Sequence, residues 1–204
     1  ALLEAMAEKQ VTLDGVTRPM SNPFMVVATQ NPIEHEGTFP LPEAQLDRFI
    51  MKISVGYPTI EQEKVILESQ RKSHPINSLE TVSSAEELIE MQGLIKKVHV
   101  HSAIREYILR IVNATRTHSD LALGASPRGS LSLFRTGQAF AAFDGRDYVI
   151  PDDVKILAPA VLSHRLIVRP ESRLKRRTPR NLIEEILKAV PAPVDRPDWR
   201  SAKA

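Results

Sequence analysis

Apolar positions along this chain change their spacing near residue 58. Before it they fall in short runs or alternate; from Thr59 onward they recur every three or four residues. Val11–Thr12–Leu13 and Val16–Thr17–Arg18 flank Asp14–Gly15, a pair that supplies the positive φ angles of a tight type I′ turn, so a β-hairpin is predicted. Phe24 to Thr29 is an unbroken apolar run, the pattern of a strand buried on both faces of a parallel sheet. Phe49, Met51, Ile53 and Val55 alternate with Ile50, Lys52 and Ser54, which predicts a half-exposed strand ended by Gly56–Tyr57–Pro58.

The second region is helical throughout. Thr59 with Gln62, and Ser84 with Glu87, have the spacing of capping boxes that satisfy free N–H groups at helix starts. Ile104, Tyr107, Ile108, Ile111 and Val112 form one apolar face. Leu133, Phe134, Gly137, Phe140 and Ala141 form another, with Gly137 read as a point of close approach. Val154, Leu157, Val161 and Leu162 follow Pro151, and Leu182, Ile183, Ile186, Leu187 and Val190 follow the cap-and-proline pair Thr178–Pro179. One-faced helices in succession bury against each other, so residues 58–190 are expected to form a small helical bundle. From Pro191 the period disappears among prolines, and residues 191–204 are expected to be disordered.

The 204 residues are 42% hydrophobic and 25% charged, enough for one or two globular domains. No apolar run approaches the ~20 residues of a membrane-spanning helix, and Cys is absent, so a cytoplasmic protein without disulfides is expected. Leu2, Leu3 and Met6 already sit at helical spacing, which predicts a sequence that opens partway through a helix. Two strands alone cannot cover a sheet, so residues 1–57 read as part of a larger core. Net charge is +2, but between Arg165 and Arg180 seven Arg and Lys face the single acid Glu171. Such a run can bind nucleic acid. With no aromatic side chains interleaved for base stacking, it is read instead as a solvated basic loop between two helices.

Three polar side chains stand out. Asn31 ends the run from Phe24, where open α/β sheets bind ligands. It can contact a phosphate oxygen or orient a water, or simply end the strand in an Asn-Pro turn. Arg48 follows the short helical stretch Ala44–Asp47 and can clamp a phosphoryl group or pair with Asp47 or another nearby acid. Arg128 falls in the first turn of a helix that begins Ser126–Pro127, where a cation opposes the macrodipole. A bound anion would explain it; so would a side chain that swings into solvent. Gly124 to Ser130 is not a phosphate-binding loop, because its Lys is absent and Pro127 removes an N–H. Glu34–His35–Glu36, His99 and His101 lack convergent metal-ligand spacing, and no Ser or His stands in a nucleophile's context.

The stretch from Ala28 to Phe49 (ATQNPIEHEGTFPLPEAQLDRF) closely resembles the MoxR family of AAA+ ATPases. Gly124 to Leu133 (GASPRGSLSL) and Gly145 to Val154 (GRDYVIPDDV) resemble the same family's lid. The resemblance implies an α/β plus all-α fold: residues 1–57 as the C-terminal part of a RecA-like αβα core, and 58–190 as a helical lid. It implies sensor 1 at Asn31, an arginine finger acting in trans at Arg48, sensor 2 at Arg128 and a pre-sensor 1 hairpin at Val11 to Arg18. It further implies ATP and Mg²⁺ as cofactors, a homo-oligomeric ring, usually a hexamer, and client protein complexes, possible clients including ones with a von Willebrand factor A-type domain. The family's Walker A Lys and Walker B acids are missing from these residues, so this chain by itself is expected to be inactive. A non-enzymatic interaction module and a nucleic-acid motor akin to the MCM helicases are the competing readings.

Overall fold

The computed structural model describes residues 2–30, 41–71 and 74–193. Helix α1 (Leu2–Glu8) leads into strands β1 (Gln10–Leu13) and β2 (Val16–Pro19), antiparallel with Leu13 opposite Val16. Asp14 at φ 50° and Gly15 at φ 76° make the predicted tight turn. The Thr12 hydroxyl and backbone N–H both donate to the Glu4 carboxylate, at 2.6 and 3.2 Å, which fastens the hairpin to α1. These bonds, first among them that from the hydroxyl, hold the Glu4 carboxyl below its ordinary pKa.

The two predicted single strands do not form. Among the described residues, Phe24 to Thr29 pairs with no strand, and Met25 and Val27 are 81% and 75% exposed. Phe49 to Val55 likewise pairs with no strand among the described residues: Phe49 and Ile50 form a bend, and Val55 is 93% exposed. Its Lys52 N–H donates instead to Ala160 O at 2.9 Å. A strand needs a neighbour to complete its ladder, and among the described residues no strand pairs with either one. Asn31 and Glu34–His35–Glu36 lie outside the described residues.

Helix α2 (Glu43–Leu46) is a single turn, and α3 (Ile60–Ser69) and α4 (Ala85–Ile95) start with the predicted capping boxes. Neither α3 nor α4 buries a residue, so the bundle is narrower than expected. Its core runs from Val98 to Ile186 and is built by α5 (Ser102–Thr117), α6 (Pro127–Phe143), α7 (Pro151–Leu162) and α9 (Pro179–Ala189). Strands β3 (Leu121–Leu123) and β4 (Ile167–Val168) pair antiparallel at its edge, and α8 (Pro170–Leu174) precedes α9. Ile104, Ile111, Leu133, Val154, Val161, Leu162, Leu182 and Ile183 are fully buried, each worth about 1.5–3 kcal/mol of transfer free energy. None of the described helices is long and apolar enough to cross a membrane. Ala192 still packs against the core, while residues 194–204 lie outside the description.

Several charged contacts link elements of the bundle. Arg146 grips Asp153 through two bonds of 2.6 and 2.9 Å, and Asp153, only 2% exposed, also accepts from Ile150 N–H to cap α7. Arg177 pairs with Asp120 at 3.1 Å and with Glu185, and Arg180 pairs with Glu184. The basic stretch is therefore not a solvated loop: it folds into β4 and α8, and part of its charge is met by acids.

Close backbone approach is required at Gly124 rather than Gly137. A Cβ at Gly137 would sit 3.4 Å from Val149, an ordinary contact, whereas one at Gly124 would lie 2.6 Å from backbone atoms of Thr115 and Arg116. Gly124→Ala is expected to destabilise the protein by about 1–3 kcal/mol through this overlap. Denaturant titration checks it, and an unchanged midpoint would show that β3 and its loop can slide away from α5.

Candidate functional site

The close approach at Gly124 places the next residues against α5. Ala125 N–H donates to Thr115 Oγ1 at 3.0 Å, and Arg116 Nε donates to Ala125 O at 2.9 Å. Thr115 is fully buried and its hydroxyl donates in turn to Val112 O. The loop before α6 is thus pinned on both sides. Ser126 then caps α6, its Oγ accepting from Arg128 N–H at 3.2 Å, and Pro127 occupies the first helical turn.

The turn Asp47–Ile50 docks against this helix start. Ser126 Oγ–H donates to the Asp47 carboxylate, within 2.9 Å of Oδ2, and Arg128 Nη1 lies 3.5 Å from the same oxygen. Arg165 reaches the carboxylate from the other side, with Nη1 2.6 Å from Asp47 Oδ1. It also donates to Asp47 O at 2.5 Å, Phe49 O at 2.6 Å, Ser132 Oγ at 3.0 Å and Val161 O at 2.8 Å. Arg48 sits half-buried within this turn, its backbone N–H donating to Gln45 O at 3.1 Å.

The electrostatics follow from that geometry. A cation in the first turn of α6 opposes the helix macrodipole, and the Asp47 carboxylate is the internal anion that offsets it. Two guanidinium groups, Arg128 and Arg165, meet the one carboxylate, which leaves the trio with an excess of one positive charge. The two pairs differ in weight. The Arg128 side chain is 55% exposed and its contact long, so that pair contributes roughly 0–1 kcal/mol. The Arg165 side chain is 1% exposed, and removing its partner would strand a buried charge at about 3–5 kcal/mol.

Of the residues singled out in the sequence, Arg128 contacts Asp47, the chain neighbour of Arg48, and Asn31 lies outside the described residues. His101 has a structural task, its Nδ1 accepting from Ala103 N–H to cap α5. The sequence reading missed Arg165, which it had counted in the basic run. The signal was there in the spacing: Ala158, Val161, Leu162 and Arg165 fall on one helical face, and the first three are fully buried. It also missed His164, whose Nε2 lies 3.2 Å from Phe49 O.

A family model described as the AAA lid domain matches residues 113–186, and one for the ATPase family associated with various cellular activities (AAA) matches residues 1–51. The chain is 42% identical to Chaperone MoxR1 of Mycobacterium tuberculosis, over 95% of this chain and 53% of that protein. The chain belongs to the MoxR family of AAA+ ATPases. It is 49% identical to YeaC of Bacillus subtilis, described as uncharacterised, over 96% of this chain and 61% of that one. A crystal structure of a candidate ATPase from Cytophaga hutchinsonii, 39% identical, superposes with a TM-score of 0.87 over 94% of this chain and 61% of its own. The MoxR-family chain thus spans between half and two thirds of these relatives, and its fold is that of the C-terminal part of an AAA+ core followed by a helical lid.

Burial pushes the His164 pKa down, against the opposing hydrogen bond to Phe49 O. Its folded value therefore lies below the ordinary ~6.5, and the unfolded chain binds more protons between the two. Stability from the neutral ring is complete above about pH 6.5 and is lost as pH falls below it. Thermal unfolding is expected to show a larger fall in Tm from about pH 7.5 to about pH 5.5 in the native protein than in His164→Asn. Parallel curves would show that the ring tolerates protonation where it sits.

Proposed function

We propose that this chain is the sensing and lid portion of a MoxR-type ATPase that couples ATP hydrolysis to remodelling or maturation of partner protein complexes. The observation that carries this reading is the contact of Arg128, at the N-terminus of α6, with the carboxylate of Asp47, the residue that directly precedes Arg48 in the docked turn. The name Chaperone MoxR1 of a relative supports the remodelling part. In this reading residues 1–57 belong to the ATPase core, 58–190 to the lid, and the protein works in the cytoplasm as a homo-oligomeric ring, the hexamer being the family's usual form. Clients with a von Willebrand factor A-type domain fit the same reading.

The residues present fit the phosphate end of ATP. Arg128 is more than half exposed at a capped helix start, and its existing anion contact is long enough to be exchanged for a phosphate oxygen. Among the described residues no group of three or more Asp, Glu or His stands ready to hold Mg²⁺. Its ligands are assigned to sequence beyond this chain. Bound ATP with Mg²⁺ supplies the phosphoryl group transferred to water. The chain's own groups then act by position and charge. Asn31, as sensor 1, orients the attacking water. Arg128, as sensor 2, holds phosphate and reports it to the lid. Arg48, as the finger, reaches the neighbouring subunit's site and stabilises charge developing in the transition state.

Arg48→Ala in the complete protein is expected to lower turnover by about 10³–10⁵. Phosphate release from assembled rings measures it, and a loss below about tenfold would withdraw the finger assignment. Arg128→Ala is expected to weaken nucleotide binding about 10- to 100-fold with the fold intact, the worth of a charged hydrogen bond. Unchanged affinity and turnover would leave it as the partner of Asp47 alone.

A further inference from the structure

Arg165 uses its donors in a pattern that packing alone does not require. A guanidinium carries five N–H groups. Here Nε serves Val161 O of α7, Nη1 serves Asp47 O and Oδ1, and Nη2 serves Phe49 O and Ser132 Oγ of α6, with Ile50 O at 3.4 Å. The backbone carbonyls among these acceptors outside α7 belong to Asp47, Phe49 and Ile50. They bracket Arg48 on both sides. Lys52 N–H on Ala160 O and His164 Nε2 on Phe49 O extend the same seam along α7 and its end.

We propose that Arg165 is a positioning residue for ATP hydrolysis: from inside the lid it clamps the backbone around Arg48 and so sets where that guanidinium points. The proposal rests on the reading of Arg48 as the finger. A buried ion pair contributes little net stability against a well-packed apolar alternative of the same volume. What it does supply is fixed geometry, since a planar fork with five aimed donors admits one arrangement of its acceptors. Lys has three donors at a single point and cannot hold α6, α7 and both flanks of Arg48 together. Because Asp47 is shared between Arg165 and Arg128, a shift of the lid that moves α6 and α7 carries the Arg48 turn with it. The response to nucleotide at Arg128 and the aim of Arg48 are thereby mechanically joined.

The test is a double-mutant cycle in the complete ring-forming protein, with ATP as the ligand. Arg165→Lys is expected to lower kcat about 10- to 100-fold, the effect of a misplacement near 1 Å, while KM for ATP and ring assembly stay within about twofold. In the Arg48→Ala background the same substitution is expected to cost nothing further, because it acts through Arg48. Amide exchange across residues 47–52 should rise in Arg165→Lys and not in Arg48→Ala. An equal kcat loss in both backgrounds, unchanged exchange, or a kcat within about twofold of native would overturn the proposal. Arg48→Ala measured alone separates the two failures: native turnover there sinks the finger reading, and the positioning role with it. Should Arg165→Lys fail to fold, Asp47→Asn enters the same cycle under the same criteria, since it keeps an oxygen for Arg165 and removes only the charge.

Discussion

A buried guanidinium has to find acceptors, and that requirement shapes the whole corner where α6, α7 and the Asp47–Ile50 turn meet. The bundle by itself offers Arg165 two of them, Val161 O and Ser132 Oγ. The rest come from the turn, together with the carboxylate that balances the charge. Without the turn, Arg165 would keep its charge in an apolar setting at a cost of several kcal/mol. Docking of the turn is therefore tied to burial of Arg165, and each holds the other in place. The turn itself follows a single helical turn and ends in a bend, with too little apolar surface buried to be ordered alone.

The same carboxylate plays a second part at lower energy. Ser126 and Arg128 both meet its other oxygen; the bond from the hydroxyl is 2.9 Å and part-buried, whereas the Arg128 contact is long and its side chain mostly exposed. One oxygen is thus held rigidly by a buried cation while the other meets a cation that water already surrounds. The pairs share an anion yet differ by several kcal/mol in what it costs to break them. Under the proposed reading this asymmetry is useful. A nucleotide phosphate can draw Arg128 away from Asp47 cheaply, and the turn stays docked because Arg165 does not let go.

What the sequence revealed and what it hid divide along the range of the interactions involved. The hairpin was legible because Asp14–Gly15 decides its turn locally, and so were the starts of α3 and α4, where Thr59 with Gln62 and Ser84 with Glu87 close their own capping boxes. The faces of α5, α7 and α9 were legible because a helix buries one stripe whatever it packs against. Phe24–Thr29 and Phe49–Val55 were misread because a strand exists only with a partner, and periodicity says nothing about whether one is at hand. In the site, Arg128 could be found since its conflict with the helix dipole is local. Arg165 was hidden by its company: six other basic residues nearby suggested solvent, and the apolar residues one turn before it were the better guide. Asp47, read only as a possible partner for Arg48, proved to face Arg165 more than a hundred positions away, a pairing no local pattern encodes.

The two matched family regions give that pairing further meaning. Asp47 and Arg48 fall in the segment similar to the ATPase core, residues 1–51; Ser126, Arg128, Ser132 and Arg165 fall in the segment similar to the lid, residues 113–186. Between them lie α3 and α4, which contain no buried residue, and then most of α5, which belongs to the core of the lid-like bundle. With no residue buried, α3 and α4 do little to hold core-like and lid-like segments together. The joint is made by side chains: one carboxylate, two guanidinium groups, a capping hydroxyl and the bonds to carbonyls beside Arg48. A joint of that kind is stiff in direction, because each donor is aimed, yet limited in area, so it transmits a rotation without welding the two segments into one body. If nucleotide state is to reach the neighbouring subunit from this lid, the described residues offer that joint as its path.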